Sequence, residues 1–101
     1  MQPKSKVVSL LDSAGRHWQQ HGKCVFPLDA LGKHIDSGLN VGTQLSVSLP
    51  RPVVTITAME ATSNITLRLT PEDARAHAHT LLQAADMADA VQAEVEARRK
   101  A

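Results

Sequence analysis

A chain of 101 residues that is 43% hydrophobic and 21% charged has globular proportions, enough for one domain and too short for two. Its formal net charge of +1 offers no strong field to nucleic acid or anionic lipid, which argues against a mainly electrostatic binder. Trp18 and Phe26 are the only aromatic residues, so the row of stacking rings that single-stranded nucleic acid needs is missing.

Cys24 is the only cysteine, which excludes an internal disulfide and fits a reducing compartment. No apolar run is long enough to span a bilayer, and Val7–Leu11 is too short for a signal peptide. The expectation is a cytoplasmic protein with no membrane partner.

Val7, Leu11, Ala14 and Trp18 recur at helical spacing and predict an N-terminal helix over residues 1–22, capped by Ser5 and ended by Gly22. Gly15 inside it costs about 1 kcal/mol relative to alanine. A strand over Lys6–Leu11 is the rival reading, because Val7 and Val8 are β-branched. Residues 23–42 read as an irregular segment. Pro27 opens a short helix through Leu28, Ala30 and Leu31, and Asp36–Gly42 is a loop rich in turn formers.

From Thr43 the period changes to two. Leu45, Val47 and Leu49 alternate with polar residues, as do Val54, Ile56 and Ala58, and then Ile65, Leu67 and Leu69. Pro50 and Pro52 interrupt the first link and Glu60–Asn64 forms the second. The pattern predicts an antiparallel meander over 43–69, three-stranded with room for a fourth strand, one face buried and the other polar. Thr70-Pro71-Glu72-Asp73 supplies a capping hydroxyl, a first-turn proline and two acids, so a helix is predicted over 70–99. Ala74, Ala78, Leu81, Ala85, Ala88 and Val95 form its apolar stripe. The predicted class is α+β, a single domain with the long helix packed on one sheet face. No internal repeat stands out.

Few residues suggest chemistry. His17 and His21 share one side of a helix, with Cys24 and His34 following, so these four are the candidate metal ligands. The set lacks the closed ligand pairs of structural metal sites, and the leading expectation is no metal and no cofactor. His77 and His79 stand about 200° apart on the last helix and cannot chelate one ion together. No GxSxG elbow, GK[ST] loop or GxGxxG turn is present, so no catalytic residue is assigned. The polar sheet face, Gln44, Ser46, Ser48, Thr55, Thr57, Thr66 and Arg68, is the candidate interaction surface.

The run Ile65-Thr66-Leu67-Arg68-Leu69-Thr70-Pro71-Glu72-Asp73-Ala74-Arg75, continuing to Leu81-Leu82-Gln83-Ala84-Ala85-Asp86, resembles a recurring ending of small uncharacterised bacterial and phage proteins. That ending is a strand, an LTPE-x-AR joint and an Ala/Leu-rich helix with LL-x-AAD. The resemblance covers about a third of the chain. It implies architecture and a mobile-element setting, with no site residues. The functional expectation is a non-enzymatic interaction module, a phage- or plasmid-type accessory protein working as a homodimer or on another protein. A DNA-binding regulator using Arg16, Lys23, Lys33 and Arg51 is the alternative, and a metal-dependent enzyme the third reading.

Overall fold

The computed structural model describes residues 9–100. It is α+β, with four antiparallel strands followed by one long helix. The strands β1 (His17–Val25), β2 (Gly38–Leu45), β3 (Val53–Met59) and β4 (Asn64–Leu69) pair in the order β1-β2-β3-β4, and α1 is Pro71–Lys100. The chain falls into two compact units that divide between Thr70 and Pro71, a sheet unit and a helix unit.

The predicted helix over 1–22 is absent among the described residues. Leu10 and Leu11 form a bend, Ser13 and Ala14 a turn, and His17 opens a strand. Ser5 and the first part of the rival Lys6–Leu11 strand lie outside the described residues. Two local effects defeat the helix. Gly15 takes the left-handed conformation (φ 76°), which interrupts a right-handed helix. The Asp12 carboxylate accepts hydrogen bonds from the N–H groups of Ala14 and Arg16, both at 2.9 Å, and so pulls those donors into a turn. Gly22 is left-handed too (φ 69°), in a bulge rather than at a helix end. There Gly22, Lys23 and Cys24 stand opposite Asn40 alone, between the pairs His21–Val41 and Val25–Leu39.

The same turn is built twice, which corrects the impression that nothing repeats. Leu11-Asp12-Ser13-Ala14-Gly15-Arg16-His17 is echoed by Leu28-Asp29-Ala30-Leu31-Gly32-Lys33-His34. In each, the aspartate N–H donates to the carbonyl of Arg16 or Lys33, both at 2.8 Å. Each glycine N–H donates back to the aspartate carbonyl, both at 3.0 Å. The Asp29 carboxylate also accepts two N–H groups, from Leu31 at 2.8 Å and Lys33 at 3.0 Å. Gly32, at φ 80°, matches Gly15. A turn closed by a left-handed glycine is a standard three-residue hairpin loop. The short helix expected from Pro27 through Leu31 is therefore a small hairpin, with Leu28 bridged to His34 and the Ile35 N–H donating to the Pro27 carbonyl at 2.9 Å.

Strand β2 begins at Gly38, inside the segment read as a loop. Its glycines serve packing, not turning. The Cys24 Sγ occupies the space a Cβ on Gly38 would need. A Cβ on Gly42 would lie 2.7 and 2.9 Å from Cη2 and Cζ3 of Trp18, and 2.9 Å from Oγ1 of Thr55. At the other end β2 stops at Leu45, so Val47 and Leu49 are not strand residues. The Leu49 N–H donates to the Ser46 carbonyl at 3.0 Å and closes a turn, and Pro50 and Pro52 have no N–H to extend a ladder.

The β3–β4 hairpin follows the alternating pattern, its link closed by the Glu60 N–H donating to the Ser63 carbonyl at 2.8 Å. Helix α1 starts at Pro71 with Glu72 and Asp73 in its first turn and ends with Arg98, Arg99 and Lys100, each charge placed where the helix dipole favours it. At 30 residues it is about 45 Å long. The exposed Glu94–Arg98 pair (2.7 Å) adds about 0.3–0.5 kcal/mol. No helix among the described residues is long and apolar enough to cross a membrane.

Candidate functional site

The register sorts the sheet into two faces. Residues that pair directly share a face, so Trp18, Gln44 and Val53 lie with Gln20, Gly42, Thr55 and Arg68, and with Asn40, Thr57 and Thr66. The opposite face carries His17, Gln19 and His21 of β1, then Leu39, Val41, Thr43 and Leu45, then Val54, Ile56 and Ala58, and finally Ile65, Leu67 and Leu69.

Burial runs against polarity. Among the described residues no apolar side chain is buried, and the one buried side chain is Thr55, at 1% exposure. Gly42, its cross-strand partner, and Gly38 further along β2 are buried too, all three on the polar face. On the apolar face Ile65 is 64% exposed and Leu67 57%, with Val41 exposed beside them and Leu39, Leu45, Val54, Ile56 and Leu69 half-buried. The face continues into a hollow of about 180 Å³ lined by Leu10, Leu11, His17, Thr43, Leu45 and Pro52.

The polar face is knitted by side-chain hydrogen bonds across strands. Arg68 Nε donates to Gln44 Oε1 at 3.0 Å, spanning β3. The hydroxyls of Thr57 and Thr66 lie 3.1 Å apart. Asn40 donates through Nδ2 to the Met59 sulfur at 3.5 Å, while its Oδ1 and the Thr55 hydroxyl are buried with no hydrogen-bond partner. Trp18 lies over Gly42 and remains exposed. The sequence pattern placed this tryptophan on one face of an N-terminal helix. The signal for its true position was Gly42, an otherwise costly residue in mid-strand that marks a close approach.

Of the candidate interaction residues, Gln44, Thr55, Thr57, Thr66 and Arg68 share this face, with Thr55 sealed beneath its surface. Ser46 and Ser48 stand apart in the turn after β2, their hydroxyls 3.1 Å from one another.

The four candidate metal ligands are dispersed. His17 and His21 lie on the apolar face four strand residues apart, about 13 Å along the chain. Cys24 packs on Gly38 on the other side of the sheet, and His34 sits in the second hairpin. The His17 Nδ1 donates to the Leu10 carbonyl at 2.7 Å and the His34 Nδ1 to the Phe26 carbonyl at 2.9 Å. Because a carbonyl only accepts, both rings carry their proton on Nδ1 in these bonds. His21 Nε2 is 2.6 Å from the Thr43 hydroxyl. Among the described residues no three His, Cys, Asp or Glu side chains are grouped closely enough to hold a metal ion.

The Asp12 carboxyl is held below its ordinary range, chiefly by the Arg16 N–H that it accepts; desolvation opposes this, and the Ala14 N–H and the Arg16 side chain add to the lowering. The Arg16 Nε lies 3.5 Å from Asp12 Oδ2. No protein-family model, curated protein or solved structure matches this chain.

Proposed function

We propose that the chain is a non-enzymatic interaction module that associates with itself, at least as a homodimer, and completes its hydrophobic core between copies. One observation carries the reading: among the described residues no apolar side chain is buried, while the sheet presents a continuous apolar face. Contiguous exposed apolar surface of this kind marks an association site in a folded protein. Burying Val41, Ile65 and Leu67 would contribute about 1–2 kcal/mol each. Helix α1 offers a second strip, Leu81, Ala88 and Val95 with Ala84 and Val91 beside them, at the spacing by which helices of two copies interlock.

The strand–LTPE–helix ending supports placing the module among accessory proteins of phage or plasmid type. Sedimentation equilibrium tests the association directly. The expected result is a mass at a multiple of 10.9 kDa that persists on dilution. A monomer mass across the whole concentration range overturns the proposal.

A further inference from the structure

The polar face holds a feature that self-association through the apolar face does not use. Trp18 is 59% exposed, so most of its ring contributes no burial to the fold. It is nevertheless fixed in place. The six-membered ring sits on Gly42, where any Cβ would collide with it, and Thr55 closes the same space from the neighbouring strand. A flat aromatic surface that is open to solvent and rigid from below loses little conformational freedom when something stacks on it.

Polar groups of planar geometry surround the ring. Gln44 is its direct cross-strand partner, and Gln20 stands two residues along β1. Gln44 Oε1 is held by Arg68 Nε at 3.0 Å, which orients both side chains. The Gln44 amide nitrogen and the terminal guanidinium nitrogens take no part in that bond, and Gln20 Nε2 donates to the Gly22 carbonyl at 3.4 Å, which leaves its Oε1 as an acceptor. Thr57 and Thr66 add a hydroxyl pair on the next rows.

We infer that this face is a carbohydrate platform that takes a neutral pyranose oligosaccharide, with one sugar ring stacked on Trp18 and its hydroxyls bonded by Gln44, Arg68 and Gln20. A pyranose has C–H groups on its flat faces and hydroxyls around its rim, so it needs one aromatic plane with donors and acceptors at the edge. Nucleobases stack as well, but they bring phosphates that are bound by several cations. On this face Arg68 is the one cation among the strand residues facing Trp18, and the net charge of the chain is only +1. A protein partner anchored by the tryptophan would need a desolvated apolar surround, and apart from Val53 at the end of its row the side chains around the ring are amides, hydroxyls and a guanidinium.

Trp18 is the only tryptophan, so intrinsic fluorescence of the full-length protein reports on this ring alone. Titration with maltohexaose, cellohexaose and chitohexaose should give a saturable emission change with at least one of them. Gln44→Ala and Arg68→Ala should each weaken that binding roughly three- to tenfold, the worth of one or two neutral hydrogen bonds, with unchanged circular dichroism. Trp18→Phe, which keeps a smaller ring over Gly42, should retard less than the parent in gels cast with the matching polysaccharide. The inference is overturned if no glycan produces a saturable change, or if oligo(dT) does so where the sugars do not. It is also overturned if both alanine variants bind as tightly as the parent.

Discussion

The two faces of the sheet solve the problem of packing in opposite ways. On the polar face, side chains of β1 lie down on β2 because Gly38 and Gly42 leave them room, and burial reaches Thr55. On the apolar face, alternation places leucine, valine and isoleucine side by side, yet none is buried: Val41, Ile65 and Leu67 are exposed and Leu39, Leu45, Val54, Ile56 and Leu69 only half-buried. A row of apolar residues therefore specifies a surface that seeks cover, whereas glycine beneath a bulky neighbour achieves close packing within a single layer. The first face stands by itself and the second asks for a partner.

That contrast is broken most forcefully at Leu67, which is 57% exposed at the centre of β4 on the apolar face. Leu67→Glu should leave the isolated chain folded, since no buried contact is lost, but abolish self-association. Desolvating a carboxylate in the interface costs on the order of 3 kcal/mol or more, and a two-fold interface suffers it twice. Sedimentation should then show a monomer. Thr66→Glu, on the polar face one residue earlier, should leave the oligomer mass unchanged. Equal effects from the two variants would mean that the faces are not distinct in this way.

The polar face breaks at Gly42. Gly42→Ala adds a methyl group within 3 Å of both the Trp18 ring and the Thr55 hydroxyl, so the ring must lift or the strands must part. The expected cost is about 1–3 kcal/mol, read as a lower midpoint in urea. The emission of Trp18 should also shift to the red as the ring is displaced. A stability unchanged within error would show that the tryptophan is not seated on this glycine.

How much of this was visible in the sequence depends on what each residue type reports. The Thr70-Pro71-Glu72-Asp73 start of α1 was legible because capping is local chemistry and needs no other part of the chain. The alternation of Val54, Ile56 and Ala58 and of Ile65, Leu67 and Leu69 was legible for the same reason. Strand β1 was not, since His17–Val25 has no alternation and is a strand only by pairing with β2. Gly38 and Gly42 misled because glycine signals a turn unless one knows that Cys24 and Trp18 come to lie on it. The interaction face was half legible: Gln44, Thr57, Thr66 and Arg68 follow from period two, but Trp18 joins them only once β1 is placed. The paired Asp12 and Asp29 turns were there to be read, seventeen positions apart, and a search for the spacing Asp-x-x-Gly-[Arg/Lys]-His would have exposed a hairpin where a helix was expected.

A smaller test separates cover from packing. Thr55 fills its place on the polar face with its hydroxyl unpartnered. An unpaired buried hydroxyl costs about 1–3 kcal/mol, whereas an apolar group of the same shape costs nothing for hydrogen bonding. Thr55→Val should thus leave stability unchanged or raise it by about 1 kcal/mol, seen as a higher urea midpoint. A marked loss would mean that the hydroxyl is satisfied in solution, by water or by the ring above it.

The gentlest probe is pH, acting at the turn that leads β1 into the sheet. Asp12 is bonded as a carboxylate by the Ala14 and Arg16 N–H groups, and its pKa is lowered from 3.8. A group with a depressed folded pKa contributes its stability above the unfolded value and loses it as pH falls through the folded one. The Asp12 turn should accordingly hold at neutral pH and loosen only below about pH 4. The amide resonances of Ala14 and Arg16 would move together in that window. In Asp12→Asn the side-chain oxygen still accepts both bonds but carries no charge, so the two amides should lose their acid transition while the turn persists. If they titrate unchanged in that variant, the carboxylate is not what holds the turn, and the entry of β1 must be set by its pairing with β2 alone.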